Sequence, residues 1–196
     1  MNLNNLSNYL IKKSNENHDR EVIAYGLDVI RSGIITFIFL MTIGGISHRL
    51  KETLLYIICH LFVARSTGGY HAKTRSRCLI LTTMMYLLII SIADKIWCQI
   101  PIGIVCISCL IYMILILSCA PVEHPHKKLD ELTIRTNRKK SVIYTLTMFV
   151  LVMIFWNIDR RVACLFWLNI TEIIILMLIG KEVYHHVERN DFKNID

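Results

Sequence analysis

The stretch PIGIVCISCLIYMILILSCAPV (101–122) decides the fold. It carries no charged side chain, and as a helix it is long enough to cross the roughly 30 Å of a bilayer's hydrocarbon core. Three further runs read the same way. LILTTMMYLLIISIA (79–93) and SVIYTLTMFVLVMIFWNI (141–158) are uncharged, and VACLFWLNITEIIILMLIG (162–180) is interrupted only by Glu172. Hydrophobic residues make up 54% of the 196, and the mean hydropathy is +0.48. Both values exclude an ordinary soluble domain.

The first half is less regular. GIITFIFLMTIGGIS (33–47) is short alone but extends backward through VIAYGLDVIR (22–31) if Asp28 and Arg31 are accommodated. TLLYIICHLFVA (53–64) would be only about 18 Å long as a helix, which suits a short helix packed inside the bundle or a re-entrant segment. The expected fold is therefore all-α: a polytopic membrane helix bundle with four to six membrane segments, forming one domain over 1–196. Residues 1–20 lack the apolar core of a cleavable signal peptide. Leu3, Leu6, Leu10 and Ile11 recur at near-helical spacing there, which suggests an N-terminal amphipathic helix on the membrane surface or against a partner; the plain alternative is a polar tail that frays. Residues 181–196 read as a polar C-terminal tail.

Charge orients the bundle. The 123–140 loop holds Lys127, Lys128, Arg135, Arg138, Lys139 and Lys140 against three acids, and the 65–78 loop holds Arg65, Lys73, Arg75 and Arg77 against none. The positive-inside rule puts both on the cytoplasmic side. Two spans separate them, so the assignment is self-consistent, and six segments would put both termini in the cytoplasm. Arg160 and Arg161 then fall outside, against the rule. The net charge of +7 belongs to cations that flank spans and face anionic membrane lipid; no basic-aromatic pattern points to nucleic acid. Most of the seven cysteines lie at membrane depth and form no disulfide framework.

The segment RSTGGYHAKTRSRC (65–78) is the most chemically loaded part of the chain. A thiol among cations tends towards thiolate, and a thiolate is a nucleophile. Cys78 opens the 79–93 run, where unpaired backbone N–H groups and the helix dipole favour negative charge and could receive an oxyanion. His71 supplies an imidazole suited to proton transfer near neutrality. Seven residues on one straight helix would put the pair on the same face but about 10 Å apart along the axis. A catalytic pair thus requires a bend between His71 and Cys78, which Gly68-Gly69 can permit. An unbroken helix through 69–78 would argue against it. The plain alternative is a solvated loop histidine and a small cysteine tolerated at a helix start.

Other groupings carry less. His124-Pro-His126, His185-His186 and Cys106-x-x-Cys109 lack the further ligands of a recognised metal site, so neither metal nor cofactor is expected. Asp28 and Arg31 can pair on one helix face. Glu172 has no local partner and must meet a cation from another helix or line a cavity. Trp97, Trp156 and Trp167 read as interfacial or core aromatics.

GGYHAKTRSRC resembles the signature of the AgrB family, the membrane proteins that process autoinducing peptide precursors in Gram-positive quorum sensing. Gly68, Gly69, His71, Ala72 and Cys78 fill the family's Gly-Gly-x-His-Ala pattern with its cysteine seven residues on, and Arg65 fits an upstream arginine. APVEHPHKKL (120–129) is similar to the family's Ala-Pro-Val loop, although His124 and His126 stand where asparagine-like residues are expected. The resemblance implies a cysteine endopeptidase in the bacterial cell membrane, its active site near the cytoplasmic face, acting on an AgrD-type precursor peptide. Cys78 would be the nucleophile and His71 the base. An acyl-enzyme thioester would pass to the precursor's own cysteine, giving a thiolactone. The family also implies a homodimer. Arg65, Lys73, Arg75, Arg77, Lys127 and Lys128 form a cationic rim suited to an acidic precursor tail. The competing function is a non-catalytic carrier or exporter of a peptide or ion, motivated by the intramembrane acids.

Overall fold

The structure is a computed structural model that describes residues 17–70, 74–97, 99–122 and 130–193, with side chains between 30 and 186 apart from Arg75. The described residues form helices and no strands: α1 (Asn17–Ile46), α2 (Leu50–Thr67), α3 (Arg75–Ile96), α4 (Ile102–Cys119), α5 (Glu131–Ile158) and α6 (Arg160–Lys193). The chain is an all-helical polytopic bundle, as its apolar runs predict. The four candidate spans, Ser76–Ile96, Ile102–Cys119, Glu131–Ile158 and Arg160–His186, coincide with the four uncharged or nearly uncharged runs to within their ends. It is a multi-pass membrane protein.

Contacts divide the chain into two compact units, Met1–Leu50 and Lys51–Asp196. In the first, α1 runs unbroken through Asp28 and Arg31, the condition for extending the 33–47 run backward. Its apolar portion, Ile30–Ile46, is shorter than the four spans. The Asp28 side chain and residues 1–16, which include most of the expected amphipathic helix, lie outside the described residues. At the far end of α1 the His48 N–H donates to the Gly45 carbonyl at 3.2 Å and the Arg49 N–H to the Gly44 carbonyl at 2.7 Å. His48 takes φ 57°. This is a Schellman termination, in which a left-handed residue lets two orphan carbonyls find donors.

The second unit is built around α6, which packs against α3, α4 and α5. The outer helices bury narrow stripes and α6 a broad one, as expected for a central helix. On α5 the buried residues are Ser141, Thr145, Met148, Val152 and Trp156, at three- and four-residue spacing. On α6 Ala163 to Phe166, Asn169, Ile170, Ile173, Ile174 and Met177 are all buried. The remaining apolar surface faces outward: Ile80, Met84, Ile107, Leu110, Ile114, Ile143 and Leu146 are each more than half exposed. Such residues suit contact with lipid tails.

Two pairs of polar side chains at membrane depth join one helix to another. The Trp167 Nε1–H donates to Ser108 Oγ at 2.7 Å, and the hydroxyls of Tyr112 and Thr171 are 2.9 Å apart. α2 extends past its apolar centre to Leu50 and Thr67 as one continuous helix. It lies outside the four candidate spans. It packs through Tyr56 against Tyr86 of α3 and through Phe62 against Tyr144 of α5. Arg161 lies 3.6 Å from Asp94, and Arg160 sits over the Trp156 ring. Both arginines, which the expected topology sets against the charge rule, thus have partners within the bundle. The expected polar tail continues α6 as helix to Lys193.

Candidate active site

The ends of α2 and α4 meet at one end of the second unit, and α3 begins five residues after Tyr70. α2 stops at Thr67 because the next two residues are glycines in conformations that side chains resist: Gly68 has φ 68° and Gly69 φ 154°. Gly68 also has no room for a side chain, since a Cβ there would collide with the Val122 carbonyl oxygen. The Val122 N–H donates to the Thr67 carbonyl at 2.9 Å. The two basic loops expected on one side of the membrane thus leave the bundle in direct contact.

From Gly68 to Tyr70 the chain is non-helical and lies along α6. The Tyr70 N–H donates to the Leu176 carbonyl at 2.9 Å, and the buried Tyr184 hydroxyl donates to the Gly69 carbonyl at 3.2 Å. Gly180 makes this approach possible. A Cβ on it would stand 2.7 Å from both Gly69 C and Tyr70 N, closer than two such atoms can come.

α3 begins at Arg75 with Thr74 as its N-cap, whose hydroxyl accepts from the Arg77 N–H. Threonine is a favoured residue at this position. Cys78 is fourth in the helix and half-buried. Its own N–H is spent on the Thr74 carbonyl at 3.0 Å. An oxyanion donor from this helix start must therefore come from the positions ahead of Arg77, whose N–H groups have no intrahelical acceptor. This narrows the expectation drawn from the sequence. Between Thr67 and Arg75 there is no described helix, so the unbroken helix that would argue against the pair is absent from the described residues.

Of the expected site residues, His71, Lys73, Lys127 and Lys128 lie outside the described residues, as does the Arg75 side chain. Arg65, in the last turn of α2, and Arg77, in the first turn of α3, are exposed. The same end of the bundle carries two cations beyond the expected set. Arg138 donates to the Leu117 carbonyl in the last turn of α4, where a cation suits the helix dipole. The Lys181 Nζ stands 3.4 Å from Cys119 Sγ. Sequence reading missed Gly180, Tyr184 and Val122. The available signal was Gly180 itself, a lone glycine closing an apolar helical run, which marks a close backbone approach.

Glu172 lies one turn along α6 from Leu176, away from this end. It is buried, with 3% of its surface exposed. Its carboxylate accepts from the Tyr56 hydroxyl, and His60 Nδ1 stands 3.6 Å from Oε2. Tyr56 stacks on His60, and the Thr53 and Tyr86 hydroxyls are 2.5 Å apart beside it. Among the described residues no three His, Cys, Asp or Glu side chains gather as a metal site, while His124 and His126 lie outside them.

No curated protein and no solved structure gives a significant match to the chain. The family model described as Accessory gene regulator B matches residues 3–181. That span takes in all six helices except the last part of α6, together with the Gly-Gly segment and Cys78. The chain belongs to the AgrB family, and so to the processing of accessory gene regulator quorum-sensing peptides.

Proposed function

We propose that the chain is a membrane cysteine endopeptidase that removes the C-terminal tail of an AgrD-type precursor and promotes its cyclisation. Cys78 Sγ attacks the carbonyl at the junction between signal and tail, while His71 takes the thiol proton. The tetrahedral adduct collapses, the C–N bond breaks, and His71 returns the proton to the leaving amine. The precursor's own cysteine then attacks the resulting thioester. One thioester bond breaks as another forms, closing a thiolactone and freeing Cys78 as the thiol. The exchange is nearly neutral in bond energy, so cyclisation outruns hydrolysis only where water is scarce. A half-buried thiol at the start of a spanning helix offers that exclusion.

The observation that carries this reading is the interruption of helix between Thr67 and Arg75, with Gly68-Gly69 turning the chain. It frees the seven-residue spacing from the separation a straight helix would impose. The cationic rim, with Arg65 and Arg77 exposed at this end, complements an acidic tail. The enzyme would work in the bacterial cell membrane as a homodimer, with its site near the cytoplasmic face. The carrier reading draws on Glu172, Asp28 and the multi-span form; of these, Glu172 has a partner within the bundle in the Tyr56 hydroxyl.

The test is co-expression with a precursor that carries an internal cysteine and an acidic tail. Cys78→Ala and His71→Ala should each abolish tail release while the protein stays in the membrane at its normal level. Tail release that survives Cys78→Ala overturns the assignment.

A further inference from the structure

The chain segment that leads into His71 is held from behind. Gly69 and Tyr70 lie against α6, where the Leu176 carbonyl takes the Tyr70 N–H at 2.9 Å and the Tyr184 hydroxyl binds the Gly69 carbonyl at 3.2 Å. Gly180 is buried between these two attachments. The atoms its missing side chain would meet are backbone atoms, Gly69 C and Tyr70 N, each 2.7 Å from the Cβ position. A flexible side chain could swing away from an added methyl, but backbone in a hydrogen-bonded segment has to move as a unit. The Val122 N–H to Thr67 carbonyl bond fixes the chain just before this segment.

We propose that Gly180 and Tyr184 are positioning residues, which seat the Gly69-Tyr70 backbone on α6 and so set the imidazole of His71 relative to Cys78. The proposal rests on the catalytic-pair reading. It adds that α6, which carries neither member of the pair, fixes their geometry. His71 directly follows Tyr70, whose N–H is pinned, so it inherits whatever displacement this segment suffers. Gly180→Ala would push the segment off the helix by a distance on the ångström scale, and misplacement of that size costs about a hundredfold in rate. Tyr184→Phe removes the hydroxyl that binds the Gly69 carbonyl and keeps the ring, so its effect is smaller, about tenfold or less.

The experiment is a double-mutant cycle on the full-length protein in its membrane, read as the rate at which iodoacetamide alkylates Cys78 at neutral pH. Mass spectrometry of the Cys78-bearing peptide separates this thiol from the other six cysteines. In the reaction an S–C bond forms, iodide leaves, and the thiol proton goes to His71 if the pair is assembled. His71→Ala, Gly180→Ala and Tyr184→Phe should each slow alkylation. In the His71→Ala background, neither further change should slow it again, because both act through the imidazole. Gly103→Ala, at a position with open space around it, should leave the rate unchanged.

A merely structural defect at Gly180 or Tyr184 would change the rate by the same factor with and without His71, and that result overturns the proposal. So does a wild-type rate in both single variants when His71→Ala is slow, and in that case the catalytic pair still stands. A wild-type rate in His71→Ala refutes the pair and the positioning role together. Since Tyr184→Phe keeps the ring in place, it supplies the cycle should Gly180→Ala not accumulate.

Discussion

The Tyr56 hydroxyl on α2 stands 3.0 Å from each carboxylate oxygen of Glu172 on α6, sharing its proton between them. Both residues are almost fully buried. A net hydrogen bond is worth about 0.5–1.5 kcal/mol, and stranding a buried polar partner costs about 1–3 kcal/mol. Tyr56→Phe should therefore destabilise the protein by about 1–3 kcal/mol, because it removes the donor that the buried Glu172 oxygens share. Glu172→Gln keeps an acceptor for the hydroxyl, so its cost should be smaller. Thermal unfolding in detergent gives the ranking, and a Glu172→Gln variant less stable than Tyr56→Phe would contradict it.

At the end of α1, His48 occupies a left-handed position with φ 57° that the Schellman bonds to Gly44 and Gly45 require. A side chain there costs roughly 1–2 kcal/mol of backbone strain. Glycine removes the strain but loses part of the gain to its greater freedom when unfolded. His48→Gly should thus stabilise the protein by about 0.5–1 kcal/mol. His48→Val should destabilise it, since a β-branched residue fits this conformation worst. Unfolding midpoints of the two variants should lie on opposite sides of the wild type.

The N-terminus of α5 carries a pH-dependent cap. Asp130 accepts hydrogen bonds from Thr133, which hold its carboxyl below the usual carboxylate range. A carboxyl whose folded value is depressed stabilises the fold above its unfolded value of about 3.9, and that stability is lost as pH falls through the lower folded value. Amide protection at Leu132 to Ile134, corrected for intrinsic exchange, should fall over that window in the wild type. In Asp130→Ala it should be low at every pH, with no step. A step that survives the substitution would assign the effect to another group.

The spans were legible because nothing but contiguity is needed to read them: an uncharged run of sufficient length has one stable setting in a bilayer. α2 was less legible because its ends are polar, and Lys51, Glu52 and Arg65 mask a helix whose buried face is continuous from Thr53 to Thr67. The break before Cys78 was also readable, since a glycine pair ends a helix and lets the chain turn. The seat of that break on α6 was not. Tyr70 and Leu176 stand more than a hundred positions apart, as do Tyr56 and Glu172, and no local pattern encodes such a meeting. Only the lone Gly180 left a trace, because close backbone packing excludes every other residue.

Two glycines separate a turn that depends on its geometry from a helix that does not. Gly68 combines φ 68° with a Cβ position blocked by the Val122 carbonyl. Gly103, within α4, has nothing within 4 Å of its Cβ position. Gly68→Ala should destabilise the protein by about 1–3 kcal/mol, because strain and collision both act on backbone that hydrogen bonds hold in place. Gly103→Ala gains helix propensity of up to about 1 kcal/mol and should be neutral to stabilising. The difference between the two, measured by thermal unfolding in one detergent, isolates the turn from any general effect of adding a methyl group. If Gly68→Ala is as benign as Gly103→Ala, the contact between the Thr67–Tyr70 segment and Val122 does not hold the two loops together.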